Sequence, residues 1–248
     1  MFNSVTRPDV MNWYAKTKFY HIAELTAWQV LPCTLTHSRL HHRYRPTALQ
    51  TTLEGMYPDV VDWIPFSSIR DRIIQLHAAN PCIDRIFCDA VSAYVVETAL
   101  AQLVAGGSPM RVFIRVTDLI AAMSSSSHQQ NGGEHDTGTG TTVSLPAADA
   151  STLFSSPQHA LLAFKAMRMD CGASHYKVDP TFFGKYPELY DVSDDSIMAT
   201  GVPLRPDSQQ ILTSPGHLNA STVDIYRSFI DFSFDAAREL SGKYKAAG

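Results

Sequence analysis

The chain of 248 residues is 45% hydrophobic and 18% charged, which is enough length to bury a substantial core in one large domain or two small ones. Its formal net charge of −4 excludes the overall positive field that gathers nucleic acid, so direct DNA binding is not expected. Cys33, Cys82, Cys88 and Cys171 show no CxxC spacing, the N-terminus has no apolar signal core, and no run approaches the roughly 20 apolar residues of a membrane span; these features predict a reduced, soluble protein of the cytoplasm, or of the nucleus if its role is regulatory.

In chain order, WYAKTKFYHIAELTAWQVL at 13–31 has the apolar spacing of a helix. HSRLHHRYR at 37–45 is a basic run that reads as a solvated surface. His37 and His41 stand four apart, the spacing that sets two imidazoles on one side of a helix, but no glutamate lies between them and no convincing third ligand accompanies them, so no metal site is assigned. In PDVVDWIPFSSIRD at 58–71, Pro58 and Pro65 keep the approach to a helix extended, and Trp63 and Phe66 anchor it on the core. Ser68 and Asp71 have capping-box spacing, and the helix that follows carries Ile69, Ile73 and Leu76 on one face. Asn80, Pro81 and Asp84 predict the start of the next helix. Its stripe of Ile83, Ile86, Phe87, Ala90, Val91, Tyr94, Val95, Thr98 and Ala101 runs to a stop at Gly106 and Gly107. Met110 to Met123 is also helical in spacing, although RVFIRV within it fits a strand equally.

SSSSHQQNGGEHDTGTGTT at 124–142 cannot bury enough apolar surface to offset the entropy of ordering it, and predicts a flexible loop between a lobe at 1–123 and a lobe at 143–248 that share one core. The Gly/Thr run within it imitates a phosphate loop but has neither a strand before it nor a helix after it. SPQHALLAFKAMRM predicts a helix starting near Ser156 and Pro157. DVSDDS at 191–196 offers three carboxylates to a magnesium ion, but such runs more often make turns and caps. A last helix is expected over 221–245, with Ser221 and Asp224 as its capping pair. Alternating strand patterns are scarce, so the predicted fold class is mainly α, a globular multi-helix domain.

No GxSxG, GxxxxGK[ST] or GxGxxG motif occurs. Helical spacing sets Arg70, Ile73 and His77 on neighbouring turns. If they face a pocket, His77 is a general base near neutral pH and Arg70 fixes an anionic oxygen; otherwise His77 is a helix-end histidine and Arg70 pairs with an acid such as Asp62.

RYRPTALQ at 43–50 followed by PDVVDWIPFSSIRDRII at 58–74 resembles a fungal domain of unknown function found C-terminal to the basic-leucine-zipper segment of many fungal transcription regulators. The matching residues are Arg45-Pro46-Thr47 with Gln50, then Asp62, Ile64-Pro65-Phe66 and Arg70-Asp71. The similarity spans about residues 40 to 105, and YKVDPTFFGKYPELYD at 176–191 matches only loosely. The resemblance implies a fungal source, a predominantly helical fold and, for free-standing members, an association with secondary-metabolite gene clusters. The chain begins at Met1 with neither a basic region nor leucine heptads, which again argues against gripping DNA directly.

Two expectations follow. In the first, the protein binds a small, largely apolar, polyketide-like metabolite in a pocket lined by Trp63, Phe66 and Tyr94, and acid/base chemistry by His77, Arg70 and Asp62 releases or cyclises it, with a polyketide synthase as a partner. In the second, it is a regulator or co-regulator of a biosynthetic cluster that acts through a transcription regulator. Neither expectation calls for a cofactor or a metal.

Overall fold

The computed structural model describes residue 18 and residues 21–124, 143–169 and 173–206. Except for Ser124, the loop expected at 124–142 lies outside the described residues, and so does the helix expected at 221–245.

Helices supply most of the regular structure. Helix α1 covers residues 21–30, inside the stretch whose spacing predicts it. After it come α2 (Thr34–Arg39) and α3 (Ala48–Leu53). Thr47 opens α3 with a capping box, its hydroxyl accepting from the Gln50 amide at 3.2 Å while its own amide donates to Gln50 Oε1 at 3.0 Å. A 3-10 turn at Asp59–Trp63 leads to α4 (Ser67–His77), as the proline-framed approach predicts.

The start of α4 differs from the expectation. Its N-cap is Phe66, with no side-chain cap. Ser68 instead donates to Asp194 Oδ2 at 2.7 Å, and Asp71 accepts from the Thr47 hydroxyl at 2.5 Å. Both supposed capping residues are drawn into tertiary contacts.

A larger correction follows. Helix α5 (Ile83–Ser92) begins two residues after Pro81, with Asn80 accepting from the Cys82 amide, and ends long before Gly106. Tyr94–Ala99, the second half of the predicted helix, is strand β1. Tyr, Val, Val and Thr favour a pleated, half-buried surface as much as a helical stripe, and pairing with remote segments decides between the two. Those segments are β2 (Arg111–Arg115), which resolves the RVFIRV ambiguity, and β3 (Tyr176–Val178). Gly106, with φ of 69°, serves the connection between β1 and β2, where only a residue free of Cβ crowding turns cheaply.

Helix α6 (Val116–Ser124) follows β2 directly, and α7 (Ala150–Ser155) and α8 (Pro157–Ala166) pack against it. Ser156 caps α8 and Pro157 takes its first position, as expected. The last elements are α9 (Pro180–Lys185), 3-10 turns at Pro187–Leu189 and Val192–Ile197, and β4 (Val202–Pro203). The DVSDDS carboxylates serve these turns: Asp191 accepts from the Ser193 amide, Asp194 from Ser68 and Asp195 from the Tyr190 hydroxyl.

The sheet order is β3-β1-β2-β4, with β1 antiparallel to both neighbours and β2 parallel to β4. Register divides its side chains cleanly. Val96, Ile114 and Tyr176 lie opposite one another and enter the main core, which runs from Ile22 to Ile197. The alternate residues Val95 and Phe113 face the other way and join Ala199 in a small second cluster. Beyond them on that second face the strands carry charge: Glu97, Arg111, Arg115 and Lys177.

Candidate functional site

Two polar constructions stand out, one inside the core and one at the end of the sheet. The first contains the sequence-predicted catalytic residues Asp62 and Arg70. Arg70, on the inner side of α4, is 1% exposed. Its Nε donates to Gln50 Oε1 at 2.9 Å, Nη1 to the carbonyls of Arg43 and Ile64 at 2.7 Å each, and Nη2 to the Arg45 carbonyl at 2.6 Å. Asp62 accepts from Gln50 Nε2 at 2.5 Å, from the Tyr57 hydroxyl at 2.9 Å and from Gln29 Nε2 at 2.7 Å. Gln50 therefore stands between the acid and the guanidinium, giving its nitrogen to one and its oxygen to the other. Burial raises the Asp62 pKa, and the hydrogen bonds from Tyr57 and Gln29 only partly oppose this. The same burial, with the Asp62 charge beside it, pushes the Tyr57 hydroxyl upward.

His77 is not part of this construction. It lies seven residues beyond Arg70 on the same helix, a rise of about 10 Å, and its Nε2 meets Glu188 Oε1 at 3.0 Å near the surface. The structure thus brings Asp62 and Arg70 together through Gln50 and leaves His77 apart. The aromatic residues expected to line a pocket pack into the core. Phe66 and Tyr94 are buried and meet edge to face with ring centroids 5.5 Å apart, and half-buried Trp63 packs its edge against Phe87 at 6.4 Å. His37 and His41 do not share a helix face either, because α2 ends at Arg39. His41 instead packs between His21 and His42, its ring tilted against both, with centroids 4.7 and 4.3 Å away. Among the described residues no group of three or more His, Cys, Asp or Glu side chains could hold a metal ion.

The second construction is a cleft of about 640 Å³ where β1 outruns the short β3. Four consecutive β1 residues, Val96 to Ala99, line it, so the cleft opens along the strand's edge as well as its faces. Ser174 to Lys177 form one side, and the end of α8, Ala166 to Arg168, forms another. Arg43, Arg111, Arg168 and Lys177 bring positive charge to it, against one carboxylate, Glu97. A site of this sign on a chain of net charge −4 is a local departure from the molecule's field.

Glu97 organises the charge. Its Oε1 accepts from the amides of Thr200 at 2.6 Å and Gly201 at 2.9 Å, while Oε2 meets Lys177 Nζ at 2.8 Å and Arg111 at 3.7 Å. Burial by itself would raise this carboxyl, but the bonds from Lys177, Gly201 and Thr200 outweigh it and hold the pKa below the usual value. Gly201 must be glycine for so close an approach, since a Cβ there would sit 2.8 Å from the Arg111 carbonyl oxygen. Arg43 is pinned as well: its Nη1 donates to the Tyr176 carbonyl at 2.6 Å and its guanidinium lies over the Phe66 ring, 5.2 Å from the centroid. His41 adjoins the rim, its Nε2 meeting the hydroxyl of Ser174 at 2.8 Å. Chemically, the cleft combines fixed cations with a strand edge and suits recognition of oxyanions.

Sequence reasoning did not find the cleft. Arg43 falls in the run read as a solvated surface, and Glu97 in a stretch read as helix. One signal was available: AFKAMRM ends a helix with no glycine where one is usual.

The family described as "Domain of unknown function (DUF3425)" matches residues 23–197, well beyond the span on which the sequence resemblance rests. No curated protein and no solved structure matches the chain.

Proposed function

This chain belongs to the DUF3425 family, and from that premise and the cationic cleft we propose that it binds a small metabolite carrying carboxylate or phosphate groups. The observation that carries the reading is the cleft's charge: three arginines and a lysine converge on one concave site, and the carboxylate among them is already committed to Lys177 and to the Thr200 and Gly201 amides. Preset cations of this kind offer an incoming oxyanion charge-assisted hydrogen bonds with little reorganisation.

The proposal keeps a small-molecule ligand but replaces the largely apolar, polyketide-like one expected from the sequence with an anionic one and moves its site, because Trp63, Phe66 and Tyr94 are occupied with core packing. The resemblance to the domain of fungal regulators favours a sensory use, in which ligand occupancy alters contacts with a partner, over turnover of the ligand.

Calorimetric titration of the purified chain with citrate, inorganic phosphate and a neutral sugar tests the reading. Binding of the anions alone, weakening as salt is raised and weakened again by Arg111→Ser, is the expected result. Equal binding of the sugar, or no binding of either anion, would overturn it.

A further inference from the structure

We propose that Arg168 is the residue that grips the ligand's anionic group, and that it occupies a glycine position at the expense of the fold in order to do so; this rests on the reading of the cleft as an anion site. Helix α8 ends in a Schellman motif. The Met169 amide donates to the Phe164 carbonyl at 3.1 Å and the Arg168 amide to the Lys165 carbonyl at 2.9 Å. Buried Phe164 and Met169 make the apolar pair that accompanies such an ending. The residue after the C-cap Met167 must then take the left-handed conformation, and Arg168 does so with φ of 54°. Glycine is the usual occupant because a Cβ is disfavoured there.

The side chain shows what this position supplies. Arg43 is held by Tyr176 and Phe66, Lys177 is paired with Glu97, and Arg111 lies within reach of the same carboxylate. Among the described residues, Arg168 is the cleft cation whose guanidinium has no hydrogen bond or ion pair, and it is exposed. Its planar fork is free to take two oxygens of a carboxylate or phosphate at once.

Strain by itself does not select Arg168. Glu54 also has a positive φ, of 46°, at the end of α3 and does not line the cleft. A cation at a helix C-terminus also gains from the helix dipole, which would give the arginine a purely structural role. These alternatives differ in sign for one substitution. If Arg168 serves the ligand, Arg168→Gly relieves the backbone and removes the grip, so stability rises as binding falls.

The test compares wild type, Arg168→Gly, Arg168→Gln and Arg168→Lys by thermal melting without ligand and by titration with inorganic phosphate and citrate. The expected result is a Tm raised by roughly 2 °C in the glycine variant. Anion affinity should fall at least about tenfold in the glycine and glutamine variants, with a smaller loss in lysine, which keeps the charge but not the fork. A glycine or glutamine variant that binds the anions as wild type does, while wild type binds them, overturns this assignment and leaves the cleft reading standing. A Tm lowered in Arg168→Gly shows the arginine to be structural and overturns it equally. If wild type binds neither anion, the cleft reading itself has failed.

Discussion

Arg70 and Arg168 are the same side chain put to opposite uses. Around Arg70 the chain supplies an acceptor for each of the three guanidinium nitrogens, from Gln50 and the Arg43, Ile64 and Arg45 carbonyls, and water is excluded. Around Arg168 it supplies none among the described residues and leaves the side chain open. A buried arginine with four of its five N–H donors committed and almost no exposure has little left to offer a ligand, whereas an uncommitted cation at a cleft does. Arg43 joins the two regions, since its carbonyl accepts from Arg70 while its side chain lines the cleft.

The largest expected effect breaks the first region. Arg70→Ala leaves three backbone carbonyls without their buried donor and Gln50 Oε1 with only the Thr47 amide, and should cost about 3 kcal/mol or more of unfolding free energy by urea denaturation. Because the Arg43 carbonyl loses its anchor, citrate affinity should fall too. A midpoint equal to wild type would show that the network does not hold the fold.

A smaller effect concerns the ground between the regions. The pKa of His41 is lowered to about 4, chiefly by burial and then by the neighbouring His21, His42, Arg43 and Lys18. Its folded pKa is depressed from an unfolded value near 6.5, so the stability it contributes is present above that value and is lost as pH falls through about 4. His41→Gln should therefore flatten the fall in stability between those two pH values, as read from melts across the range; an unchanged acid limb would remove His41 from the account.

The smallest effect is expected at His77, which pairs with a well-exposed Glu188. His77→Ala should change stability by under about 1 kcal/mol and leave anion binding unchanged. Loss of ligand binding in this variant would bring His77 back as a site residue and count against the cleft.

Much of the local architecture could be read in the chain. Pro58 and Pro65 with the residues around them foretell the extended approach to α4, and Ser156-Pro157 foretells α8, because caps and proline act on their immediate neighbours. Of the ten residues that carried the family resemblance, seven, Arg45, Thr47, Gln50, Asp62, Ile64, Arg70 and Asp71, are joined by the polar network under α4, while Pro46, Pro65 and Phe66 are not. A family marker was legible, and so was a pairing of Arg70 with Asp62; that Gln50 joins the two and that Gln29 and the Arg43 carbonyl complete the network was not, since partners up to 33 residues apart meet only after folding.

The sequence by itself determined the helical majority, the proline-framed entry to α4 and the family, all of which rest on short-range rules. Only the tertiary structure decided that YVVETA is a strand and that Arg43, Arg111, Arg168 and Lys177 share one cleft. Strand pairing and charge convergence are long-range events. A run whose apolar residues suit both a helix and a strand takes the form its distant partners can bury, and a cation becomes a site or a scaffold according to which acceptors the fold brings to it.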